Sequence, residues 1–266
     1  MDASLHTVAM RADGFHQRYN FPPKEEIPRI GRHVKQLALL THDAKAASSV
    51  LEGCPNVENL LLILGSSREK MVAGVSLDFQ PLIQDVQRRP IKRLAIELEG
   101  LCQWVVNQPE AASPSFTLAP KQFIHLTHLE ILPSLTNDTE HYLSIDNFPS
   151  LTHLAIRQFS VEFIGKLVST SHDDNCPPSC RSPHSNALQI IVLDCGFEEF
   201  GSFWKELNEK VSDDRLVLFN FRDVSYALYN WKQGAYGRRD MWHLAESIKK
   251  QRFSLKDQRE LIWGCY

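Results

Sequence analysis

Three apolar residues recur along this chain at i, i+3 and i+5. The copies are Val34/Leu37/Leu39, Val57/Leu60/Leu62, Ile91/Leu94/Ile96, Leu126/Leu129/Ile131, Leu151/Leu154/Ile156 and Leu188/Ile191/Leu193, with a less complete seventh at Leu216/Leu218. The last two residues of each copy are two apart, the spacing that puts side chains on one face of a strand. Between copies the apolar period lengthens to three and four, as in Ala47/Val50/Leu51, Leu82/Ile83/Val86, Ile164/Leu167/Val168 and Phe197/Phe200/Trp204/Leu207/Val211. That is the period of an amphipathic helix. Pro55, Pro90 and Pro149 precede three of the strand segments, where a helix must already have ended. The pattern therefore predicts short strands alternating with helices.

Counted between central residues, the copies are 23, 34, 35, 25, 37 and 25 residues apart. Some wording repeats more closely: Leu126-Thr127-His128-Leu129-Glu130-Ile131 matches Leu151-Thr152-His153-Leu154-Ala155-Ile156, and Cys54-Pro55-Asn56-Val57 matches Phe148-Pro149-Ser150-Leu151. A strand, a turn and a helix per unit is the building block of a solenoid, in which each unit buries its apolar face only against its neighbours. A doubly wound parallel sheet shares the alternation but seldom repeats one strand sequence. The expected fold is α/β, an irregular solenoid with parallel strands on one face and helices on the other. Its repeat region would cover residues 33–220, with a polar loop at about 169–186, an N-terminal extension or cap, partly disordered, at 1–32 and a C-terminal helical cap at 221–266.

The segments resemble leucine-rich repeats. Three residues after the last apolar position, where that family usually carries Asn or Cys, this chain has His42, Gly65, Glu99, Ser134, Phe159 and Gly196. The side-chain ladder of the strict family is therefore missing, and irregular repeats are expected. Such repeats are similar to those in the substrate-recognition part of F-box proteins, particularly those of mushroom-forming fungi. The segment Trp231-Lys-Gln-Gly234-Ala-Tyr-Gly237-Arg-Arg-Asp240-Met-Trp242-His-Leu-Ala245 resembles one found in the same proteins. In it Asp240 is expected to cap a helix carrying Met241, Leu244, Ala245 and Ile248, Gly234 and Gly237 to make turns, and Trp231 and Trp242 to seal the end of the solenoid. No F-box is visible in residues 1–32, which offer only Phe21-Pro22-Pro23 and Ile27-Pro28.

Composition narrows the class. The 266 residues carry 29 Lys+Arg, 32 Asp+Glu and 43% hydrophobic residues, a formal net charge of −3. Collagen-like, wholly disordered and strongly basic chains are excluded, and no nucleic-acid partner is expected. Met1 to Asn20 lacks an apolar signal core, and the densest apolar run, Leu60 to Leu64, is far short of the roughly 20 residues that cross a bilayer. With no export signal, Cys54, Cys102, Cys176, Cys180, Cys195 and Cys265 read as reduced thiols. The expectation is a cytoplasmic or nuclear protein without a membrane partner.

Glycine-rich phosphate loops, nucleophile elbows and H-E-x-x-H metal motifs are absent from the sequence. No enzymatic activity and no cofactor are expected; the alternatives are a small α/β enzyme with an unrecognised site or a partial gene product with no independent role. Strand alternation places Gln36, Asn59, Arg93, His128, His153 and Ile190 opposite the main core, followed along the same face by further polar positions. From these we expect a partner-binding row of Arg93, Glu97, His128, Glu130, His153, Arg157 and Asp194. The resemblance implies a non-catalytic module that recognises a protein partner, with ubiquitin-ligase components joining if an F-box is supplied elsewhere. A candidate zinc set, His172, Cys176, Cys180 and His184, has the right donors, but its uniform x3 spacing is uncommon where structural sites favour close cysteine pairs. Elemental analysis of purified protein is expected to find well under one zinc per chain; stoichiometric zinc would establish the site.

Overall fold

The i+3 and i+5 residues of every copy lie in a short strand, held by the preceding apolar residue, which packs beneath the turn. The computed structural model describes residues 7–11, 31–41, 44–63, 82, 85–86, 88–97, 123–132, 148–157, 160–169, 188–194, 200–211, 213–219 and 224–251. The strands are β1 (Thr7–Arg11), β2 (Gln36–Leu40), β3 (Asn59–Ile63), β4 (Arg93–Glu97), β5 (His128–Leu132), β6 (His153–Arg157), β7 (Ile190–Asp194) and β8 (Leu216–Phe219). They form one open sheet in the order β1-β2-β3-β4-β5-β6-β7-β8, every neighbouring pair parallel. Because the order never reverses, the described strands contain no topological switch point of the kind where doubly wound sheets bind their ligands.

Register is kept without a slip. Leu37, Leu60, Leu94, Leu129, Leu154, Ile191 and Leu216 pair in sequence across the sheet, as do Leu39, Leu62, Ile96, Ile131, Ile156, Leu193 and Leu218. These two rows form the floor of the main core. Onto them pack α1 (Ala44–Gly53), through Ala47, Val50 and Leu51, α2 (Val161–Ser169), through Ile164, Leu167 and Val168, and α3 (Phe200–Lys210), through Leu207. Leu82 and Val86 fill the same layer ahead of β4.

A backbone ladder closes the strand entries. The carbonyl of Lys35 accepts from the N–H groups of Glu58 and Asn59, that of Glu58 from Lys92 and Arg93, that of Lys92 from Thr127 and His128, that of Thr127 from Thr152 and His153, and that of Thr152 from Gln189 and Ile190. Each carbonyl thus satisfies two backbone donors of the next unit, and those of Lys92 and Thr127 also accept from the hydroxyls of Thr127 and Thr152. Phe123 and Phe148 sit three residues before the first motif residue in adjacent units, with ring centroids 5.5 Å apart. On the rim, Glu58 pairs with Lys35 at 3.2 Å and Lys92 at 2.6 Å, and the hydrogen bond from Lys92 holds its carboxyl below the usual range.

Two departures from expectation have clear physical causes. The sheet begins with β1, inside the stretch expected to be an extension or cap; Leu5, Val8 and Met10 carry the same i, i+3, i+5 spacing, and Val8 and Met10 pair with Leu37 and Leu39. The weak seventh copy has Asp213 at its first position. Asp213 is buried and neutralised by Arg215, whose Nε donates to Oδ1 at 2.8 Å, so the acid occupies a site that is apolar elsewhere.

The third departure is larger. Helices α4 (Val224–Ala235) and α5 (Met241–Lys250) do not seal the end of the sheet; they lie on its second face. Ala227 of α4 packs with Ala38, Leu61, Ala95 and Leu132, flanked by Leu228 and Trp231. Met241, Trp242, Ala245 and Ile248 of α5 pack with Ala155, Ile190, Val192, Val217 and Phe219. Helices therefore cover both faces. No helix among the described residues is long and apolar enough to cross a membrane.

Replacing the fully buried Leu60 with alanine is expected to cost about 2–5 kcal/mol in urea unfolding, whereas Glu58→Gln on the exposed rim should cost at most about 1 kcal/mol. Comparable losses for the two would contradict the assignment of core and rim.

Candidate functional site

The second face of the sheet is polar at its first row except at Ile190, and small or apolar at its second except at Glu130. Register aligns Gln36, Asn59, Arg93, His128, His153 and Ile190 in the first row, and Ala38, Leu61, Ala95, Glu130, Ala155 and Val192 in the second. The alanines let a helix approach closely, and the polar row supplies partners at its edge.

His128 and His153 occupy the same position of the repeated Leu-Thr-His-Leu segment, so parallel register stacks them, with ring centroids 4.1 Å apart and planes within 11°. Trp242 meets both rings edge-on, at 5.2 and 5.6 Å. Nδ1 of each histidine lies 2.8 Å from the hydroxyl of the preceding threonine. Those hydroxyls already donate to the carbonyls of Lys92 and Thr127, so they must accept from Nδ1–H. This assigns the Nδ1–H tautomer to both rings and leaves each Nε2 as a lone pair. The assignment explains why His153 Nε2, 3.5 Å from Glu246 Oε1, is buried without a hydrogen bond: it has no proton to give.

Burial favours the neutral form of both rings. Burial, followed by His153, Arg93 and His243, pushes the His128 pKa down to about 3. His153 is also lowered, chiefly by burial, with Arg93 adding to the shift and Glu246 opposing it.

Asp240 ties the helices to the row. Its side chain is 3% exposed; Oδ2 accepts from Arg93 Nη1 at 3.0 Å, and Oδ1 accepts from the backbone N–H of His243 at 3.0 Å, capping α5. His243 Nδ1 lies 2.6 Å from the same Oδ1. Asn230 Oδ1 accepts from the N–H of Met241 at 2.6 Å, so two of the orphan donors of α5 are satisfied by buried side chains. A carboxylate at the N-cap and Lys249 and Lys250 in the last turn both suit the helix dipole.

The turn between the helices is set by two glycines with different duties. Gly237 has φ +67, and the bonds Gly237 N–H to the Gly234 carbonyl and Arg238 N–H to the Gln233 carbonyl make a Schellman end to α4. Gly234 lies inside α4, where a β-carbon would come within 2.4 Å of Asp240 Oδ2. It is a contact glycine, not the turn expected from sequence.

At this seam a cavity of about 30 Å³ is lined by Gln36, Asn59, Arg93, His128, Trp231 and Asp240, among others. That is room for a water or two, well below the roughly 300 Å³ of a small-molecule site. Gln36 Oε1 and Trp231 Nε1 are buried there without hydrogen-bond partners.

Of the expected row, Arg93, His128, Glu130 and His153 come together on this face under α4 and α5, Arg93 and His128 partly buried and Glu130 and His153 buried. His153 and Glu130 are buried, because Trp242 and its neighbours need an apolar surface to cover and the alanine floor provides one. Glu97, Arg157 and Asp194 lie on β4, β6 and β7, with Glu97 paired in register to Leu132 and Arg157 to Asp194. His172, Cys176, Cys180 and His184 fall outside the described residues, and among those described no group of three or more His, Cys, Asp or Glu is placed to hold a metal. Asp240, Asn230 and Trp242 were missed as members of this site. The signal for two of them was the Asp-x-Trp of the C-terminal segment. No family model, no curated protein and no solved structure matches this chain.

The tautomer assignment has a pH consequence. Both histidines have folded pKa values below the usual 6.5, so their neutral forms favour the folded state. The unfolded chain binds more protons below about pH 6.5, and stability is lost as pH falls towards 3. His128→Asn, which keeps a donor near Nδ1 and cannot titrate, is expected to flatten the loss between pH 7 and pH 4.5, by up to about 1.4 kcal/mol per pH unit per proton. Urea midpoints at the two pH values check this; identical pH slopes for native and variant would refute it.

Proposed function

We propose that this chain is a non-catalytic protein-interaction module, built as an irregular leucine-rich-repeat-like solenoid and resembling the substrate-recognition part of an F-box ubiquitin-ligase adaptor. Support for the architecture comes from strands that share one sequence motif and follow one another across the sheet in chain order. A single observation carries the functional reading: the second face of the sheet already holds a protein segment by the means protein interfaces use. An indole is buried against stacked rings, and an arginine is paired with a desolvated carboxylate over small apolar residues. Ubiquitin-ligase components would join if an F-box is supplied elsewhere.

Recognition of the partner would use the row Arg93, Glu97, His128, Glu130, His153, Arg157 and Asp194. Because Arg93, His128 and His153 also hold α5, substituting them would confound recognition with stability. The better probes are Glu97, Arg157 and Asp194, which sit on the same sheet away from the Asp240 contact. A protein recovered by affinity capture from cell extract, then purified, is expected to bind the Glu97→Ala/Arg157→Ala/Asp194→Ala chain roughly tenfold more weakly than the native one. Unchanged affinity in a variant with native circular dichroism would remove the proposed face.

A further inference from the structure

The hairpin of α4 and α5 has an outer side whose character differs from the side packed on the sheet. Its two acids are turned inward: Asp240 is buried against Arg93, and Glu246 Oε1 lies 3.5 Å from His153 Nε2. Residues 224–251 carry five Lys and Arg against those two acids, so a segment of net +3 sits in a chain of net −3 and leaves −6 on the rest. The fully exposed charged residues of the hairpin, Arg238, Arg239 and Lys250, are all cations. On the rim of the sheet Glu58 pairs with Lys35 and Lys92, and on α3 Glu206 pairs with Lys210. Among the described residues no carboxylate lies within ion-pair distance of Lys232, Arg238, Arg239 or Lys250.

Exposed apolar surface gathers in the same place. Of the four large apolar side chains exposed among the described residues, three are here: Tyr229 at 57%, Tyr236 at 62% and Leu244 at 49%. Exposed rings beside uncompensated cations give the composition of an interface, in which Tyr and Arg are enriched. The backbone holds these groups in place. The N–H of Tyr236 donates to the Lys232 carbonyl at 3.0 Å, so Tyr236 continues the helical turn of α4. Seven residues are two turns, which puts its ring on the side of Tyr229 and about 10 Å away. The Arg238 guanidinium lies 6.0 Å from the centre of the Tyr236 ring. The Schellman end of α4 and the Asp240 cap of α5 fix the chain on either side of Arg238 and Arg239, so little ordering is left for a partner to impose.

We propose that the outer side of this hairpin, through Tyr229, Lys232, Tyr236, Arg238 and Arg239, docks an acidic segment of another protein with apolar residues between its carboxylates. The guanidinium forks take the carboxylates, and the tyrosine rings take the apolar side chains. An acidic segment in the polyproline II conformation returns to one side every three residues, about 9 Å, close to the separation of the two rings. A nucleic-acid backbone, long and uniformly charged, meets the acid excess of the rest of the chain beyond the hairpin; a short acidic segment does not. The proposal rests on the interaction reading above and adds a surface separate from Glu97, Arg157 and Asp194.

The test titrates the full chain into a fluorescein-labelled peptide of four Glu-Glu-Leu repeats and follows anisotropy at low salt. Arg238→Glu/Arg239→Glu is expected to weaken binding at least about tenfold, and Tyr229→Ser/Tyr236→Ser about threefold or more. Arg32→Glu/Arg88→Glu, which reverses two exposed cations elsewhere, should change it by less than about twofold. Should the hairpin charge reversal lose native circular dichroism, Arg238→Gln/Arg239→Gln replaces it and carries the same direction. No binding by the native chain overturns the proposal, as do equal losses in the two charge-reversed chains or undiminished affinity in the tyrosine variant. Tighter binding of an oligothymidylate of equal charge, lost with the same arginines, makes nucleic acid the occupant and also overturns it. The Glu97→Ala/Arg157→Ala/Asp194→Ala chain is expected to bind the peptide as the native chain does. Failure of the peptide assay alongside a successful capture experiment would therefore remove this surface and leave the interaction reading in place.

Discussion

Each strand of this sheet pairs with the next in chain order and in register, so residues at equivalent motif positions form rows about 4.8 Å apart from strand to strand. Much else follows from that constraint. The leucine or isoleucine at the fourth motif position meets its counterpart from the neighbouring unit, which makes the main core a continuous apolar layer between sheet and helices. The carbonyl just before each of β2 to β6 meets two N–H groups of the next unit, which satisfies the strand entries through the backbone itself. Where one unit departs, the departure is local: Asp213 stands in an apolar position only because Arg215, two residues on, neutralises it.

The same register acts on the second face, where it has a chemical result. Repeating Leu-Thr-His-Leu in two adjacent units stacks two imidazoles that water would otherwise keep apart, and burial can tolerate them only uncharged. Trp242 lies alongside the stack, nearly equidistant from both rings and roughly perpendicular to them, and the threonine hydroxyls hold both rings in one tautomer. Arg93, in the next strand, supplies the positive charge that the histidines withhold. The pair of rings and the adjacent guanidinium thus form the surface that meets Trp242 of α5 and its N-cap Asp240.

Helix α5 is held by several modest interactions, not one dominant contact. Its N-cap, its ion pair with Arg93 and the bond from Met241 N–H to Asn230 converge within one turn, while the apolar contacts run towards β8. The main core lies on the opposite side of the sheet, in a separate apolar cluster.

The strands β2 to β8, the helices between them and the polar row on the second face were legible from residue spacing alone, because both periodicities are local and each unit repeats them. Strand β1 was equally legible in Leu5/Val8/Met10 but stands apart from the next copy by a long unpatterned stretch. Asp240 as a helix cap could also be read from its neighbours. What spacing could not provide was the destination of α4 and α5. A cap on the end of the sheet and a cover on its face require the same amphipathic helix, and the choice between them depends on whether a distant surface offers complementary groups. Here Arg93 lies 147 residues from Asp240, and His128 and His153 come together only when two strands pair. The sequence by itself determined the rows; which helix covers them was decided by charge and shape that exist only once the sheet has formed.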